Sequence, residues 1–158
     1  MSKKKFTHID SMGNPSMVDV SGKQPTKRKA SARAVISPGV EIMSQISNNE
    51  LTTKKGPVFQ TAIIAGVMGA KATSTLIPFC HPLALEDCQI KIHVKGKKIV
   101  IDGTATITAK TGVEMEALTA VTIAALTVYD MCKALSHDIR IEEIKLMVKT
   151  GGKKDFKR

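Results

Sequence analysis

The chain has 158 residues, the size of one domain with a real core. With no tryptophan, one tyrosine and four phenylalanines beside eight methionines, that core must be aliphatic and methionine-rich. A formal charge of +10 favours an anionic partner such as a nucleotide, a nucleic acid or a membrane surface. Three cysteines, Cys80, Cys88 and Cys132, give an odd count without paired spacing, and no secretory apolar region opens the chain. Those features exclude a disulfide framework and place the expected protein in a reducing cytoplasm. The longest uncharged run, Gly56 to Ala70, is rich in small residues and too short for a membrane span.

Ser2 to Lys5 reads as a mobile basic tail. Asp19 to Lys29 is irregular and rich in cations, among them Lys23 and Arg28, and a solvated arm is the commoner meaning of such a run. Alternation from Arg28 to Ile36 predicts a strand, stopped by Ser37, Pro38 and Gly39. Val40 to Ile46 suits a short helix, ended by Asn48, Asn49 and Glu50. Lys54, Lys55, Gly56 and Pro57 form a turn that launches the next helix, with Pro57 in its first turn. Ala62, Gly66 and Ala70 recur every four residues along it, with Ala65 and Gly69 alongside. Glycines are costly in a helix interior, so this smooth strip predicts close approach of a neighbouring element. Lys55, ahead of that helix, is placed to meet an anion near its amino-terminal end.

In the loop Thr75 to Leu83, Pro78 and Pro82 bracket His81 and restrict the backbone on both sides. A lone histidine is more often structural than catalytic, but one held in a supported loop is a better candidate. Neither His81 nor Cys80 has a second ligand at a familiar spacing, so no metal site is expected. Ile90, Ile92 and Val94 alternate with Lys91, His93 and Lys95, and Gly96 turns the chain into a return strand through Ile99, Ile101, Gly103, Ala105 and Ile107.

Lys110 to Lys133 is the longest helical stretch. Leu118, Val121, Ala125, Val128, Cys132 and Leu135 follow at steps of three and four, the repeat of one buried stripe. Ala117, Ala120, Ile123, Ala124 and Leu126 widen that stripe beyond what one sheet face covers, which predicts a second partner, foremost another subunit. Thr111 followed by Glu114 fits a capping box. Glu116 has no such structural role. Fourteen residues on, Asp130 returns to nearly the same face but about 21 Å along the axis, so one small substrate cannot touch both within one subunit. Asp130 and Lys133 can face each other across one turn, as many solvated pairs do. After His137 and Asp138, the last strand alternates Ile144, Leu146 and Val148 with Lys145, Met147 and Lys149. It runs into Thr150, Gly151, Gly152, Lys153 and Lys154, a turn whose amides and lysines could cup an anion, though its spacing is not that of a Walker loop.

The order strand, helix, hairpin, helix, strand predicts an α+β, ferredoxin-like fold: a four-stranded antiparallel sheet with two long helices on one face plus a short inserted helix. The expected organisation is a flexible basic amino-terminal arm over 1–27, one catalytic domain over 28–149 and a Gly/Lys-rich tail over 150–158.

Several stretches together resemble the cyclic pyranopterin monophosphate synthase family of molybdenum cofactor biosynthesis. They are Met17 to Ser21 with Lys23; Lys55, Gly56 and Val58; Leu76, Ile77 and Pro78 with Cys80 to Leu83; Lys110 to Ala120; Tyr129 to Ala134; and Lys149, Gly151, Gly152 and Lys153. The likeness runs almost end to end, and the block around Glu114 is highly specific. It implies conversion of 3′,8-cyclo-7,8-dihydro-GTP to cyclic pyranopterin monophosphate with loss of pyrophosphate, a lyase reaction. The catalytic set it implies is Lys55, His81, Glu114, Glu116, Asp130 and Lys133. Phe79, Cys80, His81, Met115 and Glu116 would line the pocket, and Lys23, Arg28, Lys149, Gly151, Gly152 and Lys153 would hold the triphosphate. The family is a homohexamer, a trimer of dimers with sites at subunit contacts. No cofactor is required, and magnesium on the substrate phosphates is compatible with the scheme. Phe79 departs from the usual leucine or methionine, and Ile63 stands where arginine is frequent.

Two other classes compete. A nucleic-acid-binding module would suit the charge, but the strands lack aromatic residues for stacking bases. A non-catalytic scaffold would suit the apolar helix but leaves His81, Asp130 and Lys133 without purpose.

Overall fold

The computed structural model describes residues 8–10 and 12–158, so the tail expected over Ser2 to Lys5 lies outside the described residues. Strand β1 (Thr26–Ser37) runs through the middle of the main sheet. Its alternation is complete: Ala30, Ala32, Ala34 and Ile36 are fully buried, while Ser31, Arg33 and Val35 face the other way and keep partial exposure. Helix α1 (Val40–Met43) follows, shorter than its apolar run suggested. Asn48 and Asn49 then turn the chain with positive φ of 50° and 56°. A small hairpin of β2 (Thr52–Thr53) and β3 (Gly56–Pro57) feeds helix α2 (Val58–Lys71), and α3 (Thr73–Leu76) is a single turn beyond it. The long hairpin is β4 (Asp87–Lys95) and β5 (Lys98–Ala109); helix α4 (Glu114–Cys132), β6 (Arg140–Thr150) and β7 (Phe156–Lys157) complete the chain.

The main sheet is antiparallel in the order β4-β5-β1-β6-β7, five strands where four were expected. The fifth lies in the segment read as a tail. Its two residues pair with Val148 and Lys149, and Arg158 pins them: its amide donates to the Met147 carbonyl (2.9 Å), its Nε to the Leu146 carbonyl (3.2 Å), and its guanidinium lies 5.6 Å from the Phe156 ring centre. Two residues are too few to show a periodicity, so only main-chain pairing and the Arg158 side-chain contacts reveal this strand.

Helices α2 and α4 pack together on the buried face of the sheet. Val121, Ala125, Val128 and Cys132 of α4 are fully buried, as the stripe predicts, and so are Ala117, Ala120 and Ala124; Leu118 is only partly buried, and Leu135, beyond the end of the helix, is exposed. Of the second group, Ala120, Ile123 and Ala124 are met by α2 of the same chain, while Leu126 is left half exposed. A Cβ on Gly66 would lie 2.8 Å from the Ala120 carbonyl oxygen, and one on Gly69 would lie 2.6 Å from Ile123 Cγ1, so the two helix backbones meet where no larger residue fits. Although α4 has the length and composition of a membrane span, more than half of it is buried inside the fold, as a core helix is. Ile64, Met68 and Leu126 stay exposed on the helix layer.

One irregularity decides where a functional side chain points. In β6 the register against β1 shifts between Ser31 and Ala32, so Leu146 opposes Ala32 and Ile144 opposes Ala34, yet Lys149 opposes Ala30. Directly opposed residues share a face, and one extra residue in a strand reverses the faces beyond it. The simple alternation expected Val148 inside and Lys149 outside. The bulge instead turns Lys149 toward the helix layer.

Candidate active site

At the carboxyl end of α4 three charged side chains meet. Lys55, at the tip of the β2–β3 hairpin, donates from Nζ to Asp130 Oδ2 (2.8 Å) and to the Asp130 main-chain carbonyl (3.1 Å). Lys133 reaches Asp130 Oδ1 at 2.7 Å from one turn further on. The expectation that Lys55 meets an anion at the start of α2 is therefore corrected: it is drawn to the other helix, where terminal carbonyls and a carboxylate both attract a cation. Hydrogen bonds from Lys133 and then Lys55 hold the Asp130 carboxyl down at about 2, while Asp130 raises the Lys133 ammonium above its ordinary value. All three side chains remain about half exposed, which leaves them open to an incoming ligand.

The amino end of α4 opens onto a cavity of about 200 Å³ lined by Arg28, Lys29, Gly112, Val113, Glu114, Lys149, Thr150, Gly152 and Lys153. Four cations face one carboxylate. The predicted capping box is absent: the helix starts at Glu114 with Val113 in the cap position and no side-chain cap. Glu114 instead accepts a hydrogen bond from Lys149 Nζ at 2.9 Å, because the bulge in β6 offers it a charged donor, a stronger partner than a neutral amide. The glycine-rich turn is a built loop. Gly151 has φ +84°, and any Cβ there would run into the Lys27 carbonyl. Thr26 Oγ1 donates to the Gly151 carbonyl (2.8 Å) and the Gly151 amide donates to Asp155 Oδ1 (3.1 Å). Gly152 and Lys153 are thereby presented to the cavity, whereas Gly151 and Lys23 do not line it.

Glu116, one turn into α4, is 3 % exposed. Burial pushes its carboxyl above the ordinary range, with a smaller push from Glu114 and partial relief from its own amide. The loop after α3 passes this end of the helix: the Cys80 thiol is raised by burial and then by the charge of Glu116. Phe79 and Met115 are each more than a third exposed, and His81 is partly buried in the same loop. Ile63 packs against the core from α2.

The predicted residues thus form two groups, with Lys55, Asp130 and Lys133 at one end of α4 and Arg28, Glu114, Lys149, Gly152 and Lys153 at the other, beside Glu116 and Cys80. Lys29, Gly112, Val113 and Thr150 were not singled out as site residues. Lys29 could have been found as the end of the basic run Lys27 to Lys29; it is exposed and also borders the outer sheet face. A larger hollow of about 280 Å³ on the outer sheet face is lined by Lys29, Asp87, Gln89, Lys91, Asp102 and Thr104. Its charges are mixed, and Arg33 already bonds Asp102 at 2.7 Å.

Residues 17–152 match the model of the MoaC family. A cyclic pyranopterin monophosphate synthase from Xanthomonas campestris pv. campestris (strain 8004) is 49 % identical over 96 % of this chain and 93 % of its own length. Molybdenum cofactor biosynthesis protein 1 of Dictyostelium discoideum is 45 % identical over 97 % of this chain and 27 % of its own length. The molybdenum cofactor biosynthesis bifunctional protein of Synechocystis sp. is 46 % identical over 95 % of this chain and 45 % of its own length. The matched span takes in both ends of α4 and stops one residue before Lys153, and on that extent the chain belongs to the MoaC family.

Proposed function

We propose that the protein is a cyclic pyranopterin monophosphate synthase, a lyase that converts 3′,8-cyclo-7,8-dihydro-GTP to cyclic pyranopterin monophosphate and pyrophosphate in molybdenum cofactor biosynthesis. The observation that carries this reading is the division of labour along α4: a carboxylate between two ammonium groups at one end and a cationic cavity at the other.

Opening and rebuilding a purine-derived ring needs several proton transfers, and Asp130, Lys133 and Lys55 supply adjacent acids and bases for them. The pKa of Glu116, raised by burial, suits a carboxyl that carries its proton at higher pH than an exposed one. His81, one residue after Cys80 in the loop, would serve as a further proton carrier. Ring closure at phosphorus expels pyrophosphate, whose growing charge calls for a fixed cluster of cations. Arg28, Lys149 and Lys153, with the backbone at Gly152, would supply it; Gly151 would shape the turn, and Lys23, which does not line the cavity, would have to join from the arm. The cavity is smaller than a typical pocket for a whole ligand of this size and fits its phosphate portion. Phe79, Cys80 and Met115 would border the base. Magnesium, where present, would travel with the phosphates.

The two ends are about 21 Å apart, beyond the reach of one substrate, so a complete site takes one end from each of two copies. The exposed Ile64, Met68 and Leu126 support an assembled state, read as a homohexamer built as a trimer of dimers. The antiparallel arrangement β6-β1-β5-β4 supports reading the domain as ferredoxin-like, with the basic arm before it. The free thiols of Cys80, Cys88 and Cys132 agree with a cytoplasmic enzyme. The small-molecule substrate sets this reading apart from nucleic-acid or membrane binding.

The purified protein should convert the cyclic dihydro-GTP with one pyrophosphate released per cyclic phosphate formed, followed by mass and phosphorus spectra. Asp130→Asn should bind the substrate and form no product. A wild-type protein that leaves the substrate unchanged would remove the proposal.

A further inference from the structure

The amino end of α2 is left open by its own sequence. The cap position is Pro57, which has no side-chain acceptor, and no cap hydrogen bond comes from that position. The acceptor comes from seven residues upstream. Glu50 Oε1 takes the amides of Leu51 (2.7 Å) and Phe59 (2.8 Å), and its Oε2 takes that of Gln60 (3.1 Å). A tight turn aims it: Asn48 and Asn49 are left-handed, and Ser47 and Glu50 exchange two main-chain bonds of 2.9 Å.

The residues between those contacts are the β2–β3 hairpin. Leu51 precedes it and Phe59 and Gln60 follow it, so one carboxylate ties its two feet together. The β2–β3 pairing itself, Thr52 with Pro57 and Thr53 with Gly56, and a backbone bond from Val58 N to the Leu51 carbonyl (2.8 Å) reinforce the closure. Lys55 stands at the tip, its amide held by Thr53 Oγ1 at 3.2 Å.

We propose that Glu50 is the positioning residue for Lys55: by bridging the feet of the Thr52 to Pro57 hairpin, it sets where the Lys55 ammonium meets Asp130. This rests on the reading of Lys55 and Asp130 as reacting groups. Glu50 itself faces helix amides and acts only through the hairpin.

The test uses the full chain with Glu50→Ala, Lys55→Ala, both together, and Glu50→Ala combined with Pro57→Asp. One readout needs no turnover, namely the ¹³C titration of the Asp130 carboxyl, which lies at about 2 in the intact cluster. In Glu50→Ala it should climb toward its position in Lys55→Ala, and the double variant should match Lys55→Ala alone. The second readout is turnover. For Glu50→Ala, kcat should fall roughly 10- to 100-fold, the loss that an ångström of misplacement produces, with KM changed less than about threefold. The same change in the Lys55→Ala background should add nothing, because residues acting through one group are not additive. Pro57→Asp offers Phe59 and Gln60 a local acceptor and should restore both readouts. An unmoved Asp130 titration, or kcat losses that multiply in the double variant, would overturn the proposal and leave Glu50 a purely structural cap. Should Glu50→Ala not fold, Glu50→Gln, which keeps Oε1 but loses the acceptor for Gln60, is titrated in its place with a smaller rise expected. If the wild type fails to turn over the cyclic substrate, the functional reading falls, while the titration still decides the role of Glu50.

Discussion

Two inactive variants should restore activity to each other. Asp130→Asn removes the carboxylate at one end of α4, and Glu116→Gln removes the buried carboxyl about 21 Å away at the other. If each site takes Glu116 from one copy and Asp130 from its neighbour, a mixed assembly contains sites in which both contributed ends are intact. With equal, random incorporation, the chance that the copy giving Glu116 is the Asp130→Asn chain is one half. The chance that its neighbour is the Glu116→Gln chain is also one half, so about one quarter of the sites are whole. Co-expression with two affinity tags, sequential purification and pyrophosphate release from the cyclic dihydro-GTP would measure it. About a quarter of wild-type kcat at equal loading, falling as the ratio departs from one to one, is expected. No recovery at any ratio, with mixed assemblies shown to form, would mean that one chain holds the whole site and would refute the reasoning from helix length.

Three further outcomes follow from the geometry. Gly66→Ala should gain about 1 kcal/mol of helix propensity but lose more to overpacking, because its Cβ would sit 2.8 Å from the immobile Ala120 carbonyl. A net fall in Tm of about 2–6 °C is expected on thermal melting, and a rise would show that α2 and α4 do not touch there. For Glu116, folding raises the carboxyl pKa, so the native state binds more protons, and stability falls as pH climbs from the ordinary 4.5 through the raised value. Glu116→Gln should therefore flatten the Tm profile between pH 4 and 8 and melt above wild type at its upper end, while turnover is lost; an unchanged profile would contradict the burial. Glu114→Gln releases Lys149 from its 2.9 Å partner, so pyrophosphate affinity by calorimetry should rise about two- to fivefold at low salt and fade as salt is added; weaker binding would place Glu114 on the ligand itself.

Periodicity revealed what repeats. The run from Arg28 to Ile36, the hairpin around Gly96 and the stripe through Val121 and Val128 could be read because each side chain reports its own burial. The glycines of α2 also announced themselves, since a helix tolerates Gly66 and Gly69 only for a neighbour that needs the space. What stayed hidden depends on residues far apart in sequence. Lys55 and Asp130 are seventy-five positions apart, and only the closed fold decides that the lysine turns to α4 rather than to its own helix. The inward aim of Lys149 depends on one bulge in β6, and a bulge leaves no mark on a strand pattern that reads equally well without it. The capping box failed for the same reason: Thr111 and Glu114 had the right spacing, but a lysine arriving from the last strand was the better partner. Both ends of α4 were visible as motifs, and the Asp130–Lys133 pair could be read from its spacing, while the partners Lys55 and Lys149 could not.

Those pairings bear on how a chain of net charge +10 can be selective. A cluster of bare lysines attracts any polyanion, and its affinity comes mostly from net charge. Here key cations are already engaged: Lys149 is held by Glu114, and Lys55 and Lys133 share Asp130. An incoming phosphate must replace a charge-assisted bond of 2.7–2.9 Å with one at least as good, so a loosely placed anion gains little. If, as proposed, a ligand reaches both ends at once through two copies of the chain, it gains from each exchange together and frees the displaced carboxylates for proton transfer. On that reading the carboxylates that weaken general anion binding become available for chemistry when the right ligand takes their partners, which would tie selectivity and catalysis to one set of ion pairs at the two ends of α4.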